Sequence, residues 1–292
     1  MVQCANMMCL NCGRNAELFW ENMLARCPTC GFIFVTPEER ARQQALFIDT
    51  EVYSEVATKK LALKYPKDNH AKKDLYARTA VTLLSCIPLP PKDIRCIDVS
   101  GNGGFFSHAL IEHGVLPEHV LISEMSPNYI ALTKEYFGYP TLRGNIEKLT
   151  PSETFHICTM FDVLEHVADI PKTLQQIGSF LKPNGILFLK LPNGTWARFK
   201  PILARRFSSR DRVMSVLYLE PGGHLNYWNR KNVHEFEHRG FTVVESGYVR
   251  PTYQQFKKKY LFYIGWYWIT QLFRLPLYPE FYVILRKEKH HD

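Results

Sequence analysis

The chain has 292 residues, eight of them cysteine, and a formal net charge of +8. Hydrophobic residues make up 46% and charged residues 22%, a globular balance with room for one sizeable domain and a small appendage. No apolar run approaches the roughly 20 residues that span a bilayer, which excludes a membrane-crossing helix, while the basic excess suits nucleic acid, an anionic membrane or a phosphorylated substrate and chooses among none of them.

The N-terminal stretch MVQCANMMCLNC has no long apolar region behind a basic leader, so no signal peptide is expected. The expected location is cytoplasmic, where thiols stay reduced and paired cysteines point to metal rather than disulfides. Cys9-x-x-Cys12 and Cys27-x-x-Cys30 are separated by fourteen residues. Each pair can form a knuckle that turns two thiolates to one side, and two knuckles close a tetrahedral Cys₄ site for a structural Zn²⁺. Gly13 and Gly31, one directly after each knuckle, supply the backbone freedom such turns need. Glu17 to Arg26 should form a strand pair that Phe32 to Val35 continues, a zinc ribbon over residues 1–37. Cys4, Cys86, Cys96 and Cys158 look like ordinary small residues.

Residues 38–72 are charged and helix-prone and form a connector. Asp74 to Ile87 has amphipathic spacing (Leu75, Ala77, Val81, Leu84), and Pro88, Pro90 and Pro91 end that helix. Then comes RCIDVSGNGGFF, Arg95 to Phe106: a short apolar strand ending in Asp98, a glycine-rich turn (Gly101, Gly103, Gly104), and the start of a helix. A second apolar strand, Val120 to Ile122, ends in Ser123-Glu124, about twenty residues after the glycines, where doubly wound folds place an acid on ribose hydroxyls. The glycine spacing is not that of the dinucleotide fingerprint, which favours an adenosyl cofactor. Ser126-Pro127 should cap and start the next helix.

Phe155 to Phe161 reads as a further strand, and Asp162 at its end lies over the cleft, because ligands sit beyond the carboxyl ends of such strands. Glu165 and His166 follow. A carboxylate beside a histidine suits acid–base chemistry, but adjacent residues rarely aim at one point, so holding the loop is the favoured reading. Leu174, Ile177, Phe180 and Leu181 place a helix on the sheet, and Pro183-Asn184-Gly185 turns into a strand from Ile186 to Leu191. Residues 195–212 are strongly basic (Arg198, Lys200, Arg205, Arg206, Arg210, Arg212), either a phosphate or carboxylate site or a solvated face. Lys257 to Phe273 joins three lysines to a dense aromatic run. Packing on the sheet explains part of it, and a membrane interface or a lipid-linked substrate suits the rest. Phe281 to Leu285 closes the chain as an antiparallel strand.

DVSGNGG, GNIEKL (Gly144 to Leu149), FDVLEHV (Phe161 to Val167), FLKPNGILFLKLPN (Phe180 to Asn193), HLNYW (His224 to Trp228) and RGFTVVE (Arg239 to Glu245) occur in the order found in class I S-adenosylmethionine-dependent methyltransferases, which the chain resembles from about residue 73 onward. Ser100 and Asn102 stand where that family usually has glycine. ARCPTCGFIFVTPEE (Ala25 to Glu39) resembles the zinc ribbon of bacterial sugar and cell-envelope glycan methyltransferases. The implied fold is an α/β, doubly wound Rossmann-like sheet over residues 73–292 behind a small Cys₄ ribbon, with a substrate insertion near 195–223. The implied cofactor site is Asp98, Gly101, Gly103, Glu124, Met125, Asn145 and Asp162. The resemblance also places Tyr218, Glu220, His224 and Tyr227 beside the acceptor, with His224 the candidate base and a backbone-bonded loop histidine the plainer alternative. It implies methylation of a sugar or glycan, and the basic residues 195–212 suit an anionic small-molecule or lipid-linked form of that acceptor. RNA methylation is the first rival, and a non-catalytic cofactor-binding scaffold the second.

Overall fold

The computed structural model describes residues 7–20, 22–49, 70–144, 146, 149–150, 152–195, 198, 223–253 and 257–288. The expected positions Tyr218, Glu220, Asn145 and most of the basic insertion lie outside these residues.

The first four strands are β1 (Met7–Met8), β2 (Asn15–Trp20), β3 (Leu24–Arg26) and β4 (Ile33–Val35), each antiparallel to the next. Asn22, at φ 58°, makes the tight β2–β3 turn, a conformation that asparagine tolerates better than most residues. Helix α1 (Pro37–Asp49) begins with proline and two acids in its first turn, both suited to a helix N-terminus.

Helix α2 (Lys73–Ser85) buries Leu75, Tyr76, Thr79, Ala80 and Leu83. Beyond it lie β5 (Cys96–Val99), α3 (Phe105–Glu112), β6 (Val120–Glu124), α4 (Pro127–Tyr136), β7 (Thr141–Arg143), β8 (Phe155–Phe161), α5 (Ile170–Phe180) and β9 (Leu181–Pro192). The chain continues through β10 (Asn226–Tyr227), β11 (Phe241–Tyr248), α6 (Tyr260–Leu272) and β12 (Glu280–Lys287). Seven strands form one sheet in the order β11-β12-β9-β8-β5-β6-β7. The pairs among β9, β8, β5, β6 and β7 are parallel, and β12 runs antiparallel between β9 and β11, as the sequence predicts for the last strand. Strands β5 and β8 are largely buried on both faces, as a parallel sheet covered by helices on both sides requires.

Two local expectations change. Pro183-Asn184-Gly185 does not precede a strand. It forms an irregularity inside β9, where pairing with β8 shifts register between Phe155 and Ile157 and Asn184 turns to φ 61°. Ser126 occupies the N-cap of α4, but its side chain makes no capping bond. Its amide donates instead to Glu124 Oε1 at 2.9 Å, which draws the chain back onto the strand end.

The ribbon is built into the larger domain. Its last strand, β4, pairs with β10, so Asn226 faces Phe34 and Tyr227 faces Ile33. Phe32, Phe34 and Cys27 share a continuous core with sheet residues such as Ile97 and Leu189, and the Phe32 and Trp228 rings lie 5.0 Å apart. Trp228 Nε1 donates to Asn11 Oδ1 at 3.2 Å, inside the first knuckle. Arg40 clasps the junction: its guanidinium donates to the carbonyls of Val35, Ala168 and Leu225 and to Asn226 Oδ1. Arg40→Ala strips one cation from four acceptors and should cost about 3 kcal/mol in denaturant unfolding. Arg40→Lys should recover little of that, because an ammonium cannot match the fork. An unchanged unfolding midpoint would dismiss the clasp.

Candidate active site

The carboxyl ends of the parallel strands β5, β6, β8 and β9 share one edge of the sheet, and Asp98, Gly101, Gly103, Glu124, Met125 and Asp162 lie at or just beyond them. Asp98 is buried at the end of β5. Its Oδ1 accepts from Thr159 Oγ1 at 2.7 Å and its Oδ2 from Ser107 Oγ at 2.9 Å. Burial pushes its carboxyl up to about 6 against the pull of those two hydroxyls. Both oxygens therefore tie the strand to β8 and α3, and the residue holds the loop. A Cβ on Gly101 would stand 2.7 Å from Asp98 Oδ2, so only glycine lets the turn close this tightly over the acid.

Ser100 and Asn102 adopt φ 52° and 49°, the left-handed region that glycine would otherwise supply. The Asn102 side chain donates to the Ser100 carbonyl at 3.1 Å and helps hold that shape. Gly104, at φ 77°, opens α3, and the buried Gly103 lies just before it. The altered glycine pattern thus yields a formed turn.

Glu124 faces this turn from the end of β6. Oε1 accepts the Met125 and Ser126 amides at 2.8 and 2.9 Å, and Oε2 accepts the Asn102 amide at 3.0 Å. Burial raises its carboxyl, and the three amides work against that rise. Oε2 carries one of these bonds, and a carboxylate oxygen accommodates two, so the side facing the turn retains acceptor capacity. Met125 is exposed beside it.

Asp162 turns to φ 56° at the end of β8 and meets Lys190 Nζ with both oxygens, at 2.7 and 2.9 Å. Lys190 is buried and also pairs with Glu280 at 3.1 Å. The Asp162 side chain is partly exposed; desolvation by its surroundings works upward on the carboxyl, but the ammonium more than offsets it and holds the group below the ordinary carboxylate range. Sequence reasoning missed Lys190 and Glu280. The available signal was a lone cation inside the apolar run LFLKLP.

Glu165 is fully buried, and neither carboxylate oxygen has a hydrogen-bond partner among the described residues. Burial first, and then the Asp162 charge, push its carboxyl well upward. His224 Nε2 lies 3.9 Å from Glu165 Oε1, and the His166 ring sits edge-on to His224 at 4.9 Å. His166 Nδ1 is 3.0 Å from the Gly223 carbonyl. These adjacent-in-sequence residues therefore do aim at one place, because the short helical turn Leu164–His166 swings both side chains toward the His224 segment. The Tyr227 ring lies edge-on to His224 at 6.0 Å. It is buried among Trp20, Leu24 and Val35 of the ribbon, and its hydroxyl donates to the His224 carbonyl at 3.1 Å. That bond ties the Tyr227 hydroxyl to the backbone that carries His224.

A cavity of about 150 Å³ opens beside Lys190, between α2, the strand ends and α6, lined by Arg78, Arg250, Tyr248, Tyr267 and Tyr282 among others.

Away from the cleft, Cys9 and Cys30 sulfurs lie 3.7 Å apart and Cys12 and Cys27 sulfurs 3.6 Å, with all four mutually within 4.8 Å. Zn–S bonds of about 2.3 Å place tetrahedral neighbours about 3.8 Å apart, so the four thiols fit that ion. Both knuckles close alike: Gly13 and Gly31 donate to the Cys9 and Cys27 carbonyls at 2.9 Å, with φ 72° and 73°.

Comparison with known proteins gives a methyltransferase domain match over residues 69–246. The ubiquinone biosynthesis O-methyltransferase of Coxiella burnetii is 33% identical over 108 residues, 35% of this chain and 45% of that protein. The corresponding protein of Azorhizobium caulinodans is 26% identical over 118 residues, 38% of this chain and 45% of the relative. The chain thus spans under half the length of these curated relatives. Among solved structures, an S-adenosylmethionine dependent methyltransferase from Mesorhizobium loti aligns with a TM-score of 0.50 at 16% identity, over 70% of this chain and 96% of its own. The magnesium protoporphyrin IX methyltransferase of Synechocystis PCC 6803 aligns at 0.52 and 12% identity, over 82% and 97%. At these identities the structures speak for the fold alone.

Proposed function

The chain belongs to the methyltransferase domain family, and from that membership we propose that it is an S-adenosylmethionine-dependent methyltransferase acting on a sugar, glycan or related small anionic intermediate. The observation that carries the proposal is Glu124 facing a formed glycine turn across the ends of β5 and β6. Bound S-adenosylmethionine supplies an already activated methyl group. The chain's own residues then have to hold and orient the reactants. Glu124 takes the ribose hydroxyls with its remaining acceptor capacity, and the Gly101–Gly104 turn receives the amino-acid end. Met125 rims the site, and Asn145 is assigned to the adenine face from the sequence. Asp98 keeps the turn in place, and Asp162, pinned by Lys190, borders the cleft.

His224 is assigned the role of base, and Glu165 that of the group facing it. A proton taken by the imidazole creates a cation 3.9 Å from a carboxyl whose ionisation burial otherwise opposes. Each charge then lowers the cost of the other. The cavity supports a small acceptor: aromatic walls suit a sugar face, and the Arg78 and Arg250 guanidiniums suit phosphate or carboxylate. The four cysteines would hold Zn²⁺ in a closed site with no position for substrate, so its role is structural.

Glu124→Ala should weaken S-adenosylmethionine binding more than tenfold by titration calorimetry. Glu124→Gln keeps the shape and should lose less, and an unchanged affinity in the alanine variant would refute the ribose assignment. The function itself is tested with cofactor carrying a labelled methyl group, the purified protein, and host extract divided into nucleotide-sugar and glycan, quinone-lipid and RNA pools. Label in the first pool is expected. The quinone pool is included because the relatives above are named for ubiquinone biosynthesis, and label there or in RNA would overturn the acceptor class.

A further inference from the structure

Helix α6 leaves most of its surface uncovered. Thr270 is its one buried residue, although the helix reads YLFYIGWYWITQL. Leu261 is 81% exposed, Phe262 70%, Trp268 56%, Ile269 44% and Leu272 78%, and Phe273 follows at 65%. At about 100° per residue these side chains occupy one arc of roughly 140°. The opposite side is anchored by Tyr267, whose ring meets that of Tyr278 at 5.4 Å, and at the edge of the arc Trp266 Nε1 donates to the Leu277 carbonyl at 3.2 Å. The helix is therefore fixed to the domain by one aromatic face and presents a second to solvent. A contiguous apolar face of this size on a globular protein marks a contact surface.

Charge decides what contacts it. Between Ser246 and Pro279 the sequence carries Arg250, Lys257, Lys258, Lys259 and Arg274 and no Asp or Glu. The three lysines form the helical turn leading directly into α6, and all are exposed. Arg274 is exposed just past its end, and the Arg250 guanidinium lies over the Trp268 ring at 5.9 Å. An apolar face carrying tryptophan, phenylalanine and leucine, with cations at both ends and no acid, matches the plane of an anionic bilayer: rings enter the headgroup boundary while ammonium groups meet lipid phosphates. No helix among the described residues is long and apolar enough to cross a membrane.

We propose that α6 docks the protein onto an anionic lipid surface, with Leu261, Phe262, Trp268, Ile269 and Leu272 inserted and Lys257–Lys259 on the headgroups. The proposal stands apart from the methyl-transfer reading, since vesicle binding requires neither cofactor nor acceptor. The test is flotation of the full chain with vesicles of equal parts phosphatidylcholine and phosphatidylglycerol, against phosphatidylcholine alone. The protein should float with the anionic vesicles only. Leu261→Glu with Leu272→Glu should cut that binding at least tenfold. Both sites are solvent-exposed, so circular dichroism should show an intact fold. Replacing the three lysines by alanine should lower anionic binding by about a hundredfold. A protein that stays at the bottom with anionic vesicles, or glutamate variants that float unchanged, overturn the proposal. So does a concentration-dependent dimer in sedimentation that the glutamate pair abolishes without any flotation, which would assign the face to a second copy.

Discussion

His224→Ala should lower kcat by about 10²- to 10⁴-fold, the range set by losing a positioned base, while leaving the dissociation constant for S-adenosylmethionine within about twofold. The imidazole faces Glu165, whereas Glu124 is held by the Asn102, Met125 and Ser126 amides, so cofactor contacts are not expected to change. Two controls sharpen the result. His166→Ala should cost only a few-fold, because that ring is exposed and lies against a backbone carbonyl. Glu165→Gln removes the charge that an imidazolium would face and should reduce kcat without matching the His224 loss. A His224 variant with near-normal kcat would make the residue a plain loop histidine. Equal losses at His166 and His224 would instead mean that the two rings act as one unit.

The second large effect concerns the four cysteines. Purified protein should carry one Zn²⁺ per chain, and Cys27→Ala or a strong chelator should lower the unfolding midpoint by about 10 °C, the response of a domain this size to several kcal/mol. The loss should not stay local. Cys27 and Phe32 lie in the same core as sheet residues, and β4 pairs with the strand that follows His224. Activity should therefore fall with the metal although no substrate touches it. A chelated protein that keeps its midpoint and its metal-free mass would show that the thiols hold the ribbon without an ion.

The parts of this molecule that were legible in sequence are those set by local periodicity and chain-order landmarks. The apolar runs gave β5, β6, β8 and β12, and the glycine turn and Glu124, about twenty residues on, do meet across the ends of β5 and β6. The knuckles were legible because ligand spacing and the glycine after each pair are dictated by backbone geometry. Other features depended on partners far along the chain. Arg40 sits in a charged helix like any surface residue, and nothing near it announces four acceptors at residues 35, 168, 225 and 226. Tyr227 has the composition of a cleft residue, yet the ribbon's arrival at β10 buries it. Glu165 and His166 look unable to converge as neighbours, and only the tight turn after β8 brings them together. Ser100 and Asn102 look like departures from a glycine pattern, but the required dihedrals are accessible to them and their mutual hydrogen bond helps hold the result.

The pairing of β4 with β10 joins Phe34 to Asn226, 192 positions apart (34 to 226). A ribosome releases the ribbon long before it makes the strand that completes it. Until then β4 presents an unpaired edge, and Phe32 lacks the Trp228 ring that later packs against it. Such an edge invites pairing with another nascent chain. Early metal capture would fix the knuckles but leave this edge open, so yield during synthesis should depend on chain concentration and on chaperone supply even when zinc is plentiful.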